Sequence, residues 1–309
     1  MAIISTGTKT LDALFDGGLK TKVVTLLFGI PNLGKTWFCF QMAAMCTRPV
    51  KVGGLGKKVL YIDTEGFFFT EDTIERFKNY FKKRWPDCDV NKIEVMQVED
   101  IFRLGDLWGI EFEIIQEDKR VTTVAKFPTD RQKKIAAGKS KKVKHSEKLR
   151  DWLERSPIWK KLESKDYGLV IIDSLTIPIK SEIPTSTQNF PARTSLLQIL
   201  LGACYPLARR LDLAILITNH VTRNPMNPGY HLGLGNPWGG QNVVYYVKHL
   251  FGLYSALKDE RQKYGPGGER LRRFHRYRYP GLDPDIKTVL LAKDRGYVDL
   301  IGQGARPAS

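Results

Sequence analysis

The chain has 309 residues, 42% of them hydrophobic and 27% charged, with a formal net charge of +16. Those proportions predict a soluble globular protein of one or two domains, and no run of eighteen apolar residues exists to cross a membrane as a helix. Met1 leads directly into a structured pattern without a signal peptide, and Cys39, Cys46, Cys88 and Cys204 lack C-x-x-C spacing, so a reducing, cytoplasmic setting is expected rather than a disulfide framework.

The first predicted element is a strand at Val23–Phe28, a short β-branched apolar run of the kind buried in parallel sheets. It runs into Gly29-Ile30-Pro31-Asn32-Leu33-Gly34-Lys35-Thr36, a complete G-x-x-x-x-G-K-[ST] phosphate loop. Gly29 and Gly34 allow the backbone to curl so that successive N–H groups face phosphate oxygens. Lys35 is placed to reach the β- and γ-phosphates, and the Thr36 hydroxyl to coordinate Mg²⁺. Trp37 to Cys46 reads as an apolar helix whose N-terminus faces the phosphates. Strand, loop and helix together predict nucleoside triphosphate binding.

Further along, Val59–Asp63 is a strand, and Thr70 caps a helix through Trp85 with acidic residues in its first turn and Lys82, Lys83 and Arg84 in its last. Ile93–Val98 is a strand. Phe112–Ile115 and Val121–Phe127 alternate around a polar turn and resemble a β-hairpin, followed by a Lys-rich, glycine-broken stretch and a helical pattern over Ser146–Ser164. Leu169–Asp173 is an apolar strand ending in a carboxylate, Ala192–Leu211 a long helix with Pro191 near its start, and Ala214–Thr218 another buried strand. From His249 the pattern changes to strands joined by glycine and proline turns, expected to form an antiparallel extension. Alternating strands and helices predict an α/β fold with a mostly parallel central sheet flanked by helices. The expected organisation is one domain over residues 1–309 with a basic insertion at about 105–165.

The positive charge is concentrated. Residues 119–165 hold 16 Lys or Arg against 5 Asp or Glu, a net of +11, and residues 258–278 hold 8 against 3, a net of +5. Two such blocks predict polyanion binding, since phosphate neutralisation supplies most non-specific nucleic-acid affinity; a solvated helix face is the alternative for the longer block. Its Lys133, Lys134, Lys139, Lys141, Lys142 and Lys144 suit sequence-independent phosphate contact.

Two carboxylates complete the nucleotide chemistry. Asp173, ending an apolar strand, is expected to hold Mg²⁺ through water beside Thr36. Glu65, in Asp63-Thr64-Glu65-Gly66, is placed to orient a water against the γ-phosphate. From the residues alone Asp63 competes for that role, and a plain strand-end turn is a third reading.

Several segments then point one way. Ile4-Ser5-Thr6-Gly7-Thr8-Lys9-Thr10-Leu11-Asp12 with Gly17-Gly18 and the phosphate loop, Tyr61 to Gly66, Ile171 to Leu175, Pro191-Ala192-Arg193, Leu207-Ala208-Arg209 and Ile217 to Val221 resemble the core of the archaeal RadA and eukaryotic recombinases. The resemblance runs from about Ile4 to Leu300, interrupted by the insertion. It implies a RecA-like ATPase fold, ATP and Mg²⁺ as cofactors, and DNA-dependent ATP hydrolysis in homologous recombination and repair, with Glu65 as the water-activating residue. Thr176–Arg193 matches the family's first DNA-binding loop, and Thr222–Gln241 the second, with Arg223 as its only Arg or Lys. Single-stranded DNA is the implied partner; double-stranded DNA and the main RadA-type recombinase are further candidates, and no membrane is.

The departures carry information too. His220 stands where the family places a Gln that senses the γ-phosphate. The family's arginines after the Glu65-Gly66 pair are replaced by Phe67-Phe68-Phe69-Thr70-Glu71-Asp72, where Phe69 could stack on a base. The chain starts within the core, so the helix-hairpin-helix domain and the subunit-joining linker are expected to be absent. The sequence thus looks like a RadA paralogue of the RadB type. Two function classes follow: a slow ATPase stimulated by single-stranded DNA, and an ATP-bound mediator that loads or modulates the main recombinase with little hydrolysis.

Overall fold

The computed structural model describes residues 1–67, 70–117, 120–126, 152–164, 166–184, 186–221, 235–292 and 295–300. The chain opens with β1 (Ile3–Ile4), α1 (Lys9–Leu14) and β2 (Leu19–Lys20), β1 and β2 forming a small antiparallel pair. There follow β3 (Val23–Gly29), α2 (Lys35–Thr47), β4 (Lys58–Asp63), α3 (Glu71–Arg84), β5 (Ile93–Gln97), α4 (Ile101–Trp108), β6 (Glu111–Glu117) and β7 (Arg120–Lys126). The remainder comprises α5 (Pro157–Leu162), β8 (Tyr167–Asp173), α6 (Thr176–Glu182), α7 (Phe190–Leu211), β9 (Ala214–Asn219), α8 (Gln241–Tyr246), β10 (His249–Ser255), α9 (Lys258–Tyr264), β11 (Leu271–Arg278), β12 (Asp285–Ala292) and β13 (Gly296–Val298).

One sheet organises the molecule, in the order β13-β12-β11-β10-β3-β9-β8-β4-β5. The six strands from β10 to β5 are parallel, which is why β3, β4, β8 and β9 read as unbroken apolar runs: helices cover both faces. Alternate residues divide between the two sides. Leu26, Leu60, Val170 and Ile215 join the core beneath α4 and α7, while Leu27, Tyr61, Ile171 and Leu216 join the core beneath α2 and α3. Burying each such leucine or isoleucine contributes about 1.5–3 kcal/mol. Thr70 caps α3, its side chain accepting from the Thr73 N–H, as its position before an acidic turn requires.

The α/β class, the parallel centre and the antiparallel end match the expectation from sequence, with two qualifications. The strand at His249 is not antiparallel on both edges: it pairs in parallel with β3 and antiparallel with β11, and the extension continues antiparallel through β12 and β13. Strand composition alone does not distinguish these pairings, because β10 is buried on both faces like its parallel neighbours. Nor is 176–193 an irregular loop, since α6 and the first turn of α7 fill most of it. The hairpin β6–β7 forms as expected and docks on α7, with the Val121 N–H donating to Asn189 Oδ1 at 2.9 Å. Of Ser146–Ser164, residues 146–151 lie outside the described residues; Ser156 caps α5 within the rest.

Candidate functional site

The parallel strands β3, β4, β8 and β9 end side by side, and their carboxyl ends hold the chemistry, the usual place for a ligand in such sheets. At the end of β3 the phosphate loop turns tightly. Gly34 adopts φ +103° as the N-cap of α2, where a Cβ would come within 2.6 Å of Tyr297 Oη. Gly29 has its own constraint, since a Cβ there would lie 2.6 Å from the Leu253 carbonyl oxygen. Asn32 supplies a left-handed residue at φ 63°, a conformation its short polar side chain tolerates.

Lys35 is buried and curls back over the loop, its Nζ donating to the carbonyls of Gly29 and Ile30 at 3.1 Å each. Burial pulls its ammonium below the usual lysine range, against the opposing pull of Glu65 and Asp173. Those two carbonyl contacts are the kind a phosphate displaces, because an anion satisfies the ammonium better than neutral oxygens do.

Asp173, at the end of β8, is almost fully buried. It accepts from the Tyr61 hydroxyl at 2.6 Å and from the Thr218 hydroxyl. Burial raises its carboxyl above the ordinary range, the Glu65 charge adds to that, and hydrogen bonds from Thr218, Tyr61 and Thr36 work against it. This donor set fits Mg²⁺: one carboxylate and one threonine hydroxyl, with substrate phosphates and waters completing an octahedron. Among the described residues no cluster of three or more His, Cys, Asp or Glu is arranged to hold a metal.

Glu65 follows β4. Its backbone N–H donates to Asp63 Oδ1 at 3.1 Å, and its Oε1 meets His220 Nε2, beyond the end of β9, at 2.9 Å. Burial lifts the Glu65 carboxyl, but the His220 hydrogen bond and charge, with Lys35 behind them, bring it below its ordinary value. Asp63 is more deeply buried than Glu65 and spends Oδ1 on the turn. That geometry leaves Glu65 the better placed of the two to meet a bound ligand.

His220 is wired to the following segment. Its N–H donates to Asn219 Oδ1 at 2.8 Å, its carbonyl accepts from the Trp238 N–H at 2.7 Å, and Asn219 Nδ2 donates to the Trp238 carbonyl at 2.9 Å. The Trp238 ring lies 5.4 Å from Lys180 Nζ and 5.9 Å from the Arg193 guanidinium.

The structure brings Lys35, Thr36, Asp173, Glu65 and His220 to one region. Other expected residues sit differently. Trp37 turns its ring to Phe77, Tyr80 and Phe81 of α3, so only its backbone faces the loop. Arg193 is buried rather than displayed; its Nη2 donates to the Ser186 carbonyl at 2.6 Å, and its Nε has no hydrogen-bond partner among the described residues. Phe69, Arg223, Lys133, Lys134, Lys139, Lys141, Lys142 and Lys144 lie outside the described residues.

The second basic block differs most from the expectation. Arg272 donates to the Leu33 and Glu269 carbonyls, Arg276 to those of Leu14 and Asp283, and Arg278 to that of Val244. Arg270 and Arg273 pair with Glu269 and Glu260. The guanidiniums of Arg272 and Arg276 thus serve carbonyls of the fold, whereas Lys258, Arg261, Lys263, Arg270 and Arg278 of the same block are exposed. Two contributors were missed from sequence: Tyr61, whose hydroxyl serves Asp173, and Trp238. A tyrosine two residues before the strand-end Asp63 was the available signal for the first; nothing local marked the second.

The Rad51 family model matches residues 1–85. The DNA repair and recombination protein RadA of Metallosphaera sedula is 30% identical over 223 residues, covering 72% of this chain and 53% of that protein. The chain thus spans about half the length of the curated relative it matches.

Proposed function

This chain is a relative of the RadA/RecA-family recombinases, and we propose that it is an ATP-binding, DNA-dependent ATPase acting in recombination and repair as a recombinase paralogue or mediator. The observation that carries this reading is the convergence of Lys35, Thr36, Asp173 and Glu65 at the carboxyl ends of β3, β8 and β4, strands of one parallel sheet with β9 between the first two. Bound Mg²⁺ would neutralise charge on the β- and γ-phosphates. Lys35 would exchange its carbonyl contacts for a phosphate, and Thr36 and Asp173 are the residues that would hold the metal. Glu65 orients the attacking water, with a carboxylate kept ionised by His220. His220, hydrogen-bonded through its backbone to Trp238, relates the state of Glu65 to the segment that borders Lys180 and Arg193. Single-stranded DNA is the proposed partner, held beside that segment and along the basic stretch 119–165. The whole forms one RecA-like domain with an insertion at about 105–165, working in the cytoplasm.

A second reading has its own support. Because Glu65 is already engaged by His220 at 2.9 Å, the water-activating position starts occupied, which suits an ATP-bound module with little turnover. Phosphate release with and without single-stranded DNA separates the two. A DNA-stimulated rate that vanishes in Lys35→Ala supports the ATPase; tight ATP binding with no release in either condition supports the binding module. Wild-type protein that does not bind ATP sinks both.

A further inference from the structure

The C-terminal strands do more than widen the sheet, because β11 and β13 reach the outside of the phosphate loop. Arg272 on β11 donates from Nε to the Leu33 carbonyl at 2.9 Å. Tyr297 on β13 donates its hydroxyl to the Leu33 and Gly34 carbonyls, both at 3.1 Å. Both donors are themselves held. The Arg272 guanidinium is tied by Nη1 to the Glu269 carbonyl at 2.7 Å and to that of Leu271 at 3.0 Å. Tyr297 is fully buried, and its backbone is clasped by Gln41 of α2: the Tyr297 N–H donates to Gln41 Oε1 at 2.7 Å, and Gln41 Nε2 donates to the Tyr297 carbonyl at 3.2 Å.

A trans peptide unit points its C=O and N–H in opposite directions. Drawing the Leu33 carbonyl toward β11 and β13 therefore turns the Gly34 N–H away from them, and drawing the Gly34 carbonyl does the same for the Lys35 N–H. The loop lies close against this hold, since a Cβ on Gly34 would meet Tyr297 Oη at 2.6 Å and Leu291 Cδ2 at 2.7 Å, and the Gly34 carbonyl also accepts the Phe38 N–H of α2 at 3.0 Å.

We propose that Arg272 and Tyr297 are positioning residues that aim the Gly34 and Lys35 amides at the phosphates of a nucleoside di- or triphosphate. This rests on the nucleotide reading above and adds the part that the C-terminal strands play in it. Loop amides of this kind cradle the α- and β-phosphates, which ATP and ADP share. The two nucleotides must therefore suffer alike when the hold is loosened. Arg272 and Tyr297 share one acceptor, so their effects are not additive.

The test uses the full chain with three substitutions. Tyr297→Phe removes one hydroxyl, Arg272→Lys keeps the charge but loses the planar fork, and Tyr167→Phe is a control that removes another buried-ring hydroxyl, the one bonded to Glu94 at the far end of β8. Amide resonances of Gly34 and Lys35 are recorded without nucleotide, and ATP and ADP affinities are measured at equilibrium. The expected result is a loss of about fivefold in both affinities for Tyr297→Phe and for Arg272→Lys, the worth of about one hydrogen bond. The Gly34 and Lys35 resonances should move in both variants and stay in place in Tyr167→Phe. Folded variants with unaltered ATP and ADP affinities overturn the proposal, as does a loss confined to ATP. Shifted amides with unaltered affinities would end the positioning role while leaving nucleotide binding intact. Wild-type protein that binds neither ATP nor ADP would instead end the nucleotide reading on which the proposal stands.

Discussion

Arg276→Ala tests whether the arginines of β11 belong to the fold or to a nucleic-acid surface. Arg276 is 8% exposed, and its Nη1 and Nε donate to the Leu14 carbonyl at 2.7 Å and the Asp283 carbonyl at 2.8 Å. A hydrogen bond involving a charged group contributes about 1.5–3 kcal/mol, and a buried acceptor left unpaired costs a similar amount. The Leu14 carbonyl lies in the interior and bears that cost fully, whereas Asp283 is exposed and its carbonyl regains water. A net destabilisation of about 3 kcal/mol follows. For a chain of this size each kcal/mol moves the melting temperature by roughly 2 °C or a little more, so a fall of about 6 °C is expected. Thermal and urea unfolding measure it. Single-stranded DNA titrations of the same variant at several salt concentrations should give the wild-type slope, because a buried guanidinium that contacts no phosphate displaces no counterions from DNA. An arginine that contacts phosphate would instead lower the slope by about 0.7. An unchanged melting temperature together with a shallower slope would refute the structural assignment of this block.

Other consequences follow from the same geometry. His220→Ala removes the group that holds the Glu65 carboxyl down; the acid limb of the rate profile should move to higher pH, and DNA stimulation should fall by a larger factor than the basal rate, whereas equal losses would indicate a purely structural histidine. Removing the lysines from Lys133 to Lys144 should lower the salt slope for single-stranded DNA by roughly 3 if about four phosphates are contacted, and an unchanged slope would leave that stretch without a DNA role. All four cysteines are buried, with burial raising the Cys204 thiol to about 12, so native protein should react with a thiol reagent only as fast as it opens; rapid labelling at pH 8 would contradict their packing.

Much of the candidate site was legible because its parts are local. A strand, a glycine loop and a helix lie next to one another in the chain, and Asp173 and Glu65 each follow an apolar strand whose end the sequence marks. The hairpin β6–β7 was legible for the same reason, since a period of two and a polar turn are short-range signals. Short helices were harder: α1, α4 and α8 are six to eight residues long, too short for a 3.6-residue period to stand out from loop. The fate of the arginines was not legible at all. Composition counts charges, but whether Arg272 and Arg276 face water or the carbonyls of Leu33 and Leu14 depends on partners some 240 and 260 residues away in sequence, which only the sheet order brings together. Arg193 is the same case in miniature, placed correctly along the chain yet turned inward against Trp238 and Ser186.

The most direct test of the central claim is phosphate release by Glu65→Gln beside wild type, with and without single-stranded DNA, together with ATP affinity for both proteins. Glutamine keeps the size of the side chain and a hydrogen bond to His220 but removes the carboxylate proposed to orient the water. The account predicts ATP affinity close to wild type and loss of turnover in both conditions. Hydrolysis at the wild-type rate would contradict it and move the water-activating role to Asp63 or another carboxylate.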